Sequence, residues 1–184
     1  MLLLGLGVIL FCLVHLVPSA LPDLRANLVD KMGEMGFKGL FAVASIVGIV
    51  LIVLGWQQAV PAQVYLLPEA ATRATKALMI FALILFFAPY IPTNIRRAVR
   101  HPQLTGVLVW SIAHLLANGD NRSIVLFGGM AMWSVVAMAL ISGRDGDWVP
   151  PEPKSPIGDA VAVIVGVVAF IGLVLMHQSL FGGV

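Results

Sequence analysis

Pro102-Gln103-Leu104-Thr105-Gly106-Val107-Leu108-Val109-Trp110-Ser111-Ile112-Ala113-His114-Leu115-Leu116-Ala117-Asn118-Gly119-Asp120 places a histidine inside a run otherwise fit for a lipid bilayer. An imidazole in hydrocarbon is costly, so His114 is expected to face other helices and to have a partner or a task. His15 poses the same question in the first apolar segment, residues 2–17. Two such histidines on different helices ask for a common explanation, and a metal cofactor is one.

The rest of the chain supports a membrane reading. Of 184 residues, 60% are hydrophobic and only 11% are charged, with a mean hydropathy of +1.00. A soluble domain carries roughly 25% charged residues, so the fold class is an all-α, polytopic membrane helical bundle. Its length suits one domain over residues 1–184. The net charge of +2 sits in short connections beside apolar segments, which points to the lipid bilayer as partner and away from nucleic acid. Cys12 is the only cysteine, which excludes an intrachain disulfide. The N-terminus lacks the positive region of a secretory signal, so the first helix is expected to be retained although Pro18-Ser19-Ala20 imitates a cleavage site.

Six apolar segments are expected to be transmembrane helices: 2–17, 37–60, 74–91, 104–117, 124–141 and 157–181. A span needs about 20 residues, so the first and fourth are short. Pro102 is a favourable first helical residue for the fourth, and Asn118-Gly119 reads as its C-cap, with Asp120 helping to close the turn. The alternative is five spans plus a re-entrant segment formed by 104–117. Pro89 and Pro92 should end or kink the third helix. Gly128-Gly129 should let the fifth helix pack closely.

Charge sets the expected orientation. Arg25, Lys31, Lys38, Arg96, Arg97, Arg100, Arg144 and Lys154 flank the first, third and fifth connections; the other side has only Arg73, Lys76 and Arg122. The positive-inside rule then puts both termini in the periplasm. The fifth connection, 143–156, reads as a solvated, semi-extended linker and not as a metal loop.

Helical spacing aligns Val107, Trp110, Ser111, His114 and Asn118 on one stripe, and Phe11, Cys12 and His15 on another. A haem iron in a helical bundle takes axial imidazoles from facing helices, so the spacing makes His15 and His114 candidate metal ligands. Phe11 and Trp110 are candidates to pack on the porphyrin. Cys12 is a conceivable alternate thiolate ligand, although a low dielectric opposes its ionisation. The plainer reading keeps each histidine as a hydrogen-bonding residue of the bundle and Cys12 as a small core residue. His177 reads as such an interfacial residue, and His101 as solvated or phosphate-contacting. For two simple spans, His15 lies near the cytoplasmic end and His114 about 18 Å from it, so tilt or register must bring them level. No nucleophile triad, Gly-rich phosphate loop or zinc cluster is present in the sequence.

His15-Leu16-Val17-Pro18-Ser19, Arg25, Arg100-His101-Pro102-Gln103-Leu104-Thr105-Gly106, Trp110 through Asp120 and Leu126-Phe127-Gly128-Gly129 together resemble the NnrU family. The resemblance implies a polytopic inner-membrane protein linked to denitrification and nitrogen-oxide metabolism. It also implies the membrane domain of plastid zeta-carotene isomerase, whose cis–trans isomerisation uses haem b held by histidine. Carried onto this chain, the implied ligands are His15 and His114. Ser111 stands where a cysteine would supply an alternate ligand, which argues against a redox-switched version. Three functions follow as expectations: a haem b protein of nitrogen-oxide metabolism, a haem-dependent isomerase acting on an apolar polyene, and a cofactor-free assembly or interaction protein.

Overall fold

The computed structural model describes residues 1–181, so Val184, the last residue of the predicted periplasmic C-terminus, lies outside it. Six helices carry the fold: α1 (Leu2–Ala20), α2 (Pro22–Gln58), α3 (Glu69–Phe87), α4 (Pro102–Leu115), α5 (Asn121–Asp145) and α6 (Pro156–Phe181). The described residues contain no β-strand, only an isolated antiparallel bridge between Gln63 and Asp120. All helices but α4 are long and apolar enough to cross a membrane. Their outward faces are apolar, as a bilayer requires: Ile164 and Leu175 on α6 are 61% and 78% exposed. The chain is a multi-pass, all-α membrane protein.

Backbone contacts divide the chain into two compact units. The first comprises residues 1–67 and 118–146; the second comprises 68–117 and the chain from 147 onward.

In the first unit, α1 and α2 form an antiparallel hairpin that turns at Leu21. Pro22 can open α2 because a first-turn residue has no intrahelical partner for an N–H. The hairpin is close because small residues line it. A Cβ on Gly7 would come within 2.6 Å of the Ile52 amide nitrogen, one on Gly48 within 3.2 Å of Phe11, and one on Gly55 would collide with Leu4. The charged stretch read as the first connection is itself helical. It continues into the apolar span through a kink at Gly33, whose φ of 76° is the left-handed conformation that glycine adopts without strain. Glu34 links Arg25 (3.6 Å) and Lys38 (3.5 Å) across that kink. Helix α5 opens with a helical turn at Asn121–Ser123, passes through a π-helical turn at Ile124–Gly128, and continues as Gly129–Asp145. Gly129 faces Val8, whose Cγ1 would lie 2.6 Å from an added Cβ; Gly128 has open space, so the expected close packing belongs to Gly129 alone.

In the second unit, α3 ends in a 3-10 turn at Ala88–Tyr90, as its prolines require. Helix α4 begins at Pro102 as expected and runs antiparallel to α3. Thr75 Oγ1 donates to the Ala113 carbonyl at 3.1 Å, while Gly106 packs one backbone against the Ala82 carbonyl and Phe86 further along. Helix α6 packs on α3 through Gly166 against Ile84. Its start is fastened by Asp159, which accepts from the Thr93 hydroxyl, from the Asn94 amide at 2.7 Å and from Asn94 Nδ2 at 2.7 Å. Asn94 also pairs with the backbone of Lys154 in both directions, so the otherwise exposed and extended 146–155 segment is tied at its end.

The Asn118-Gly119-Asp120 sequence departs from its expected role. Helix α4 stops at Leu115, so Asn118 is beyond the helical stripe. Gly119 has no positive φ and is not a left-handed C-cap; a Cβ there would collide with the Tyr65 carbonyl. The Gly119 carbonyl accepts from the amides of Val64 (2.8 Å) and Tyr65 (3.1 Å). Asn121 exchanges hydrogen bonds with Ala62 in both directions. Asp120 does not close α4 but caps α5, accepting from the amides of Arg122 (2.9 Å) and Ser123 (3.1 Å) and from the Ser123 hydroxyl at 2.8 Å. This sequence pairs the second connection with the fourth.

Candidate functional site

His15 lies on α1, in the first unit, inside an aromatic cluster drawn from three helices. Phe11 stacks on its ring at a centroid distance of 4.0 Å, while Phe41 and Trp133 meet it edge-on at 4.9 and 5.9 Å. Phe11 also contacts Trp133. Phe11, expected against a porphyrin, lies on the imidazole itself. Cys12 is half-buried, with a free thiol, on the same helix.

His114 lies near the end of α4, in the second unit. Trp110, one turn earlier, holds its ring 5.1 Å away. Ser111 is fully buried on the same helix. His177 of α6 comes near enough to His114 to interact with it electrostatically.

The two histidines share one local geometry. His15 Nδ1–H donates to the Phe11 carbonyl at 2.7 Å, and His114 Nδ1–H donates to the Trp110 carbonyl at 2.9 Å. Each bond spans four residues, so each is built into one helical turn. A carbonyl can only accept, which puts the proton on Nδ1 and the lone pair on Nε2. This is how proteins commonly orient an imidazole that ligates a metal through Nε2.

Two polar atoms near these rings are buried without a hydrogen-bond partner among the described residues: Ser111 Oγ and Trp133 Nε1. Such orphans are costly unless a group absent from the protein chain satisfies them. Each imidazole therefore offers a nitrogen of the type that can hold a haem iron, with an orphaned polar atom in its own unit: Trp133 Nε1 beside His15, and Ser111 Oγ one helical turn from His114. Among the described residues no group of three or more His, Cys, Asp or Glu side chains converges on a metal-sized site, so a multi-carboxylate or zinc-type centre has no support there.

Sequence reasoning placed Cys12, His15, Trp110, Ser111 and His114 on their helices. It missed Phe41, Trp133 and the approach of His177 to His114, because helical periodicity does not say which helices are neighbours. The one available signal was Trp133, an indole N–H within an apolar span, which calls for a partner.

A family model described as NnrU protein matches residues 3–184, essentially the whole chain. No curated protein and no solved structure matches it.

Proposed function

The chain belongs to the NnrU family, and on that premise we propose that it is a haem b protein of the bacterial inner membrane serving nitrogen-oxide metabolism. In this reading His15, in the first unit, and His114, in the second, would each be able to hold iron. The observation that supports the proposal is the repeated Nδ1-to-carbonyl bond, 2.7 Å at His15 and 2.9 Å at His114, which holds each imidazole with its Nδ1 proton inside its own helix. Haem would supply a redox-active iron able to bind a small diatomic ligand. The protein's own residues orient the imidazoles, exclude water with the Phe11, Phe41 and Trp133 rings, and offer Ser111 Oγ and Trp133 Nε1 as hydrogen-bonding groups. The connection to nitrogen oxides rests on family membership. The positive-inside distribution supports periplasmic termini.

The test is an oxidised and dithionite-reduced absorption spectrum of the detergent-purified protein, supplied with near-stoichiometric haem. A Soret band and a sharp reduced α-band, at about one haem per chain, are expected, and both should collapse in His15→Ala and in His114→Ala. Full haem occupancy in both variants would refute the ligand assignment. A colourless, monodisperse wild-type protein would leave the histidines as packing residues of an interaction protein.

A further inference from the structure

The connection between α3 and α4 encloses an open cavity of about 210 Å³ whose polar wall is formed by Arg96, Arg100, His101 and Gln103 and whose apolar wall includes Pro89 and Leu104. No carboxylate lines it. The first turn of α4 contains no acidic residue. The first amide bonded back into the helix is that of Thr105, to the His101 carbonyl at 2.9 Å. Gln103 and Leu104 come before it and line the cavity, so the positive end of the helix dipole lies at its wall. The Gln103 side chain donates to the Tyr90 hydroxyl at 3.0 Å.

From this convergence of two guanidinium groups, an imidazole and a helix N-terminus on one cavity, we propose that the Arg96–Arg100–His101 pocket binds a phosphate group. Guanidinium forks and first-turn amides both match the tetrahedral oxygens of phosphate. The apolar Pro89 and Leu104 wall, beside the end of a membrane-spanning helix, also suits the glycerol and acyl region of a phospholipid. The same chemistry accommodates free phosphate. This site is independent of haem and of the His15 and His114 assignment.

The experiment uses the full chain in neutral detergent micelles, with two probes: inorganic phosphate at constant ionic strength, followed by calorimetry, and phosphatidic acid, followed by native mass spectrometry. Saturable binding is expected, weakened about tenfold or more in Arg96→Gln and in Arg100→Gln. Arg97→Gln removes a neighbouring exposed charge that does not line the cavity and should bind as the wild type does. Arg96 is itself exposed, so its variant should fold, with monodisperse elution as the check. Variant-sensitive binding of phosphatidic acid alone identifies a lipid headgroup site, and variant-sensitive binding of inorganic phosphate identifies a site for the free anion. No saturable binding of either probe, or an equal loss in Arg97→Gln, overturns the proposal.

Discussion

The Gly119 backbone lies so close beneath the Tyr65 carbonyl that only hydrogen fits as its side chain, while the Tyr65 amide donates to the Gly119 carbonyl at 3.1 Å. The Tyr65 hydroxyl reaches the Asn118 carbonyl at 3.1 Å, so one tyrosine grips the turn at both its backbone and its ring end. A short polar sequence between two apolar helices thereby becomes the closure of the second and fourth connections.

Gly119→Ala should therefore destabilise the first unit. A methyl group at this position meets backbone, which cannot rotate away, so the cost should reach the upper part of the usual overpacking range of about 1–3 kcal/mol. Gly128→Ala is the control. Nothing lies within 4 Å of its added Cβ, and replacing a helical glycine by alanine should be neutral or stabilising by up to about 1 kcal/mol. Thermal unfolding of the two variants in detergent should move in opposite directions or differ by several degrees; equal melting temperatures would mean that the Gly119–Tyr65 approach does not constrain the fold.

Asp120 gives this closure a pH dependence. Burial pushes its carboxyl up, but hydrogen bonds from the Ser123 hydroxyl and from the Ser123 and Arg122 amides, together with the Arg122 charge, hold it below the usual carboxylate value. A depressed folded value means stability that is present above the unfolded pKa of about 3.9 and lost as pH falls through the folded value. Wild-type melting temperature should drop on acidification below about pH 4, and Asp120→Asn should show a smaller drop. Asparagine still caps a helix, so the variant should remain folded at neutral pH and lose mainly the charge-assisted part of the bonds. Parallel acid profiles for the two proteins would exclude Asp120 as the titrating group.

The apolar segments, the start of α4 at Pro102 and the end of α3 near Pro89 were legible because each depends on local chemistry: hydropathy over a span, or a ring that fixes φ and removes a donor. Gly33 was not legible as a kink, since the charged residues from Asp23 to Lys38 read equally well as a connection. The Asn118-Gly119-Asp120 pairing was missed for a different reason. A C-cap and a long-range clasp use the same residues, and only the position of Tyr65, 54 residues earlier, separates them. His15 was visible as an anomaly, but its Phe41 and Trp133 neighbours come from helices that no periodicity assigns to it.

The course of α4 bears on topology. Its contacts with α3 extend from Thr75–Ala113 at one end to Ala82–Gly106 at the other, an antiparallel run along a membrane-length helix. A short crossing predicts that the second connection and the fifth emerge on opposite faces, with the fifth cytoplasmic by its positive charge. In a Cys12→Ser background, Leu66→Cys should react with an impermeant maleimide added outside the inner membrane, and Glu152→Cys only after permeabilisation. Both positions are exposed, so burial does not confound the labelling. Equal labelling of the two from outside would reject this topology.

Ser111 in the second unit and Trp133 in the first each distinguish occupied from empty surroundings by the sign of a stability change. Ser111 Oγ and Trp133 Nε1 are both buried without a partner among the described residues. If nothing binds there, removing either polar atom relieves a desolvation cost of about 1–3 kcal/mol. Ser111→Ala and Trp133→Phe should then raise the melting temperature of haem-free protein, offset in the second case by lost indole packing against His15 and Phe11. If the atoms serve a bound haem or its ligand, the same substitutions should speed haem transfer to apomyoglobin and shift the reduction potential, because each removes a hydrogen bond to the bound group. A stabilised haem-free form combined with faster haem loss is the expected pair of results. Unchanged haem retention in both variants would assign the orphaned atoms to packing alone.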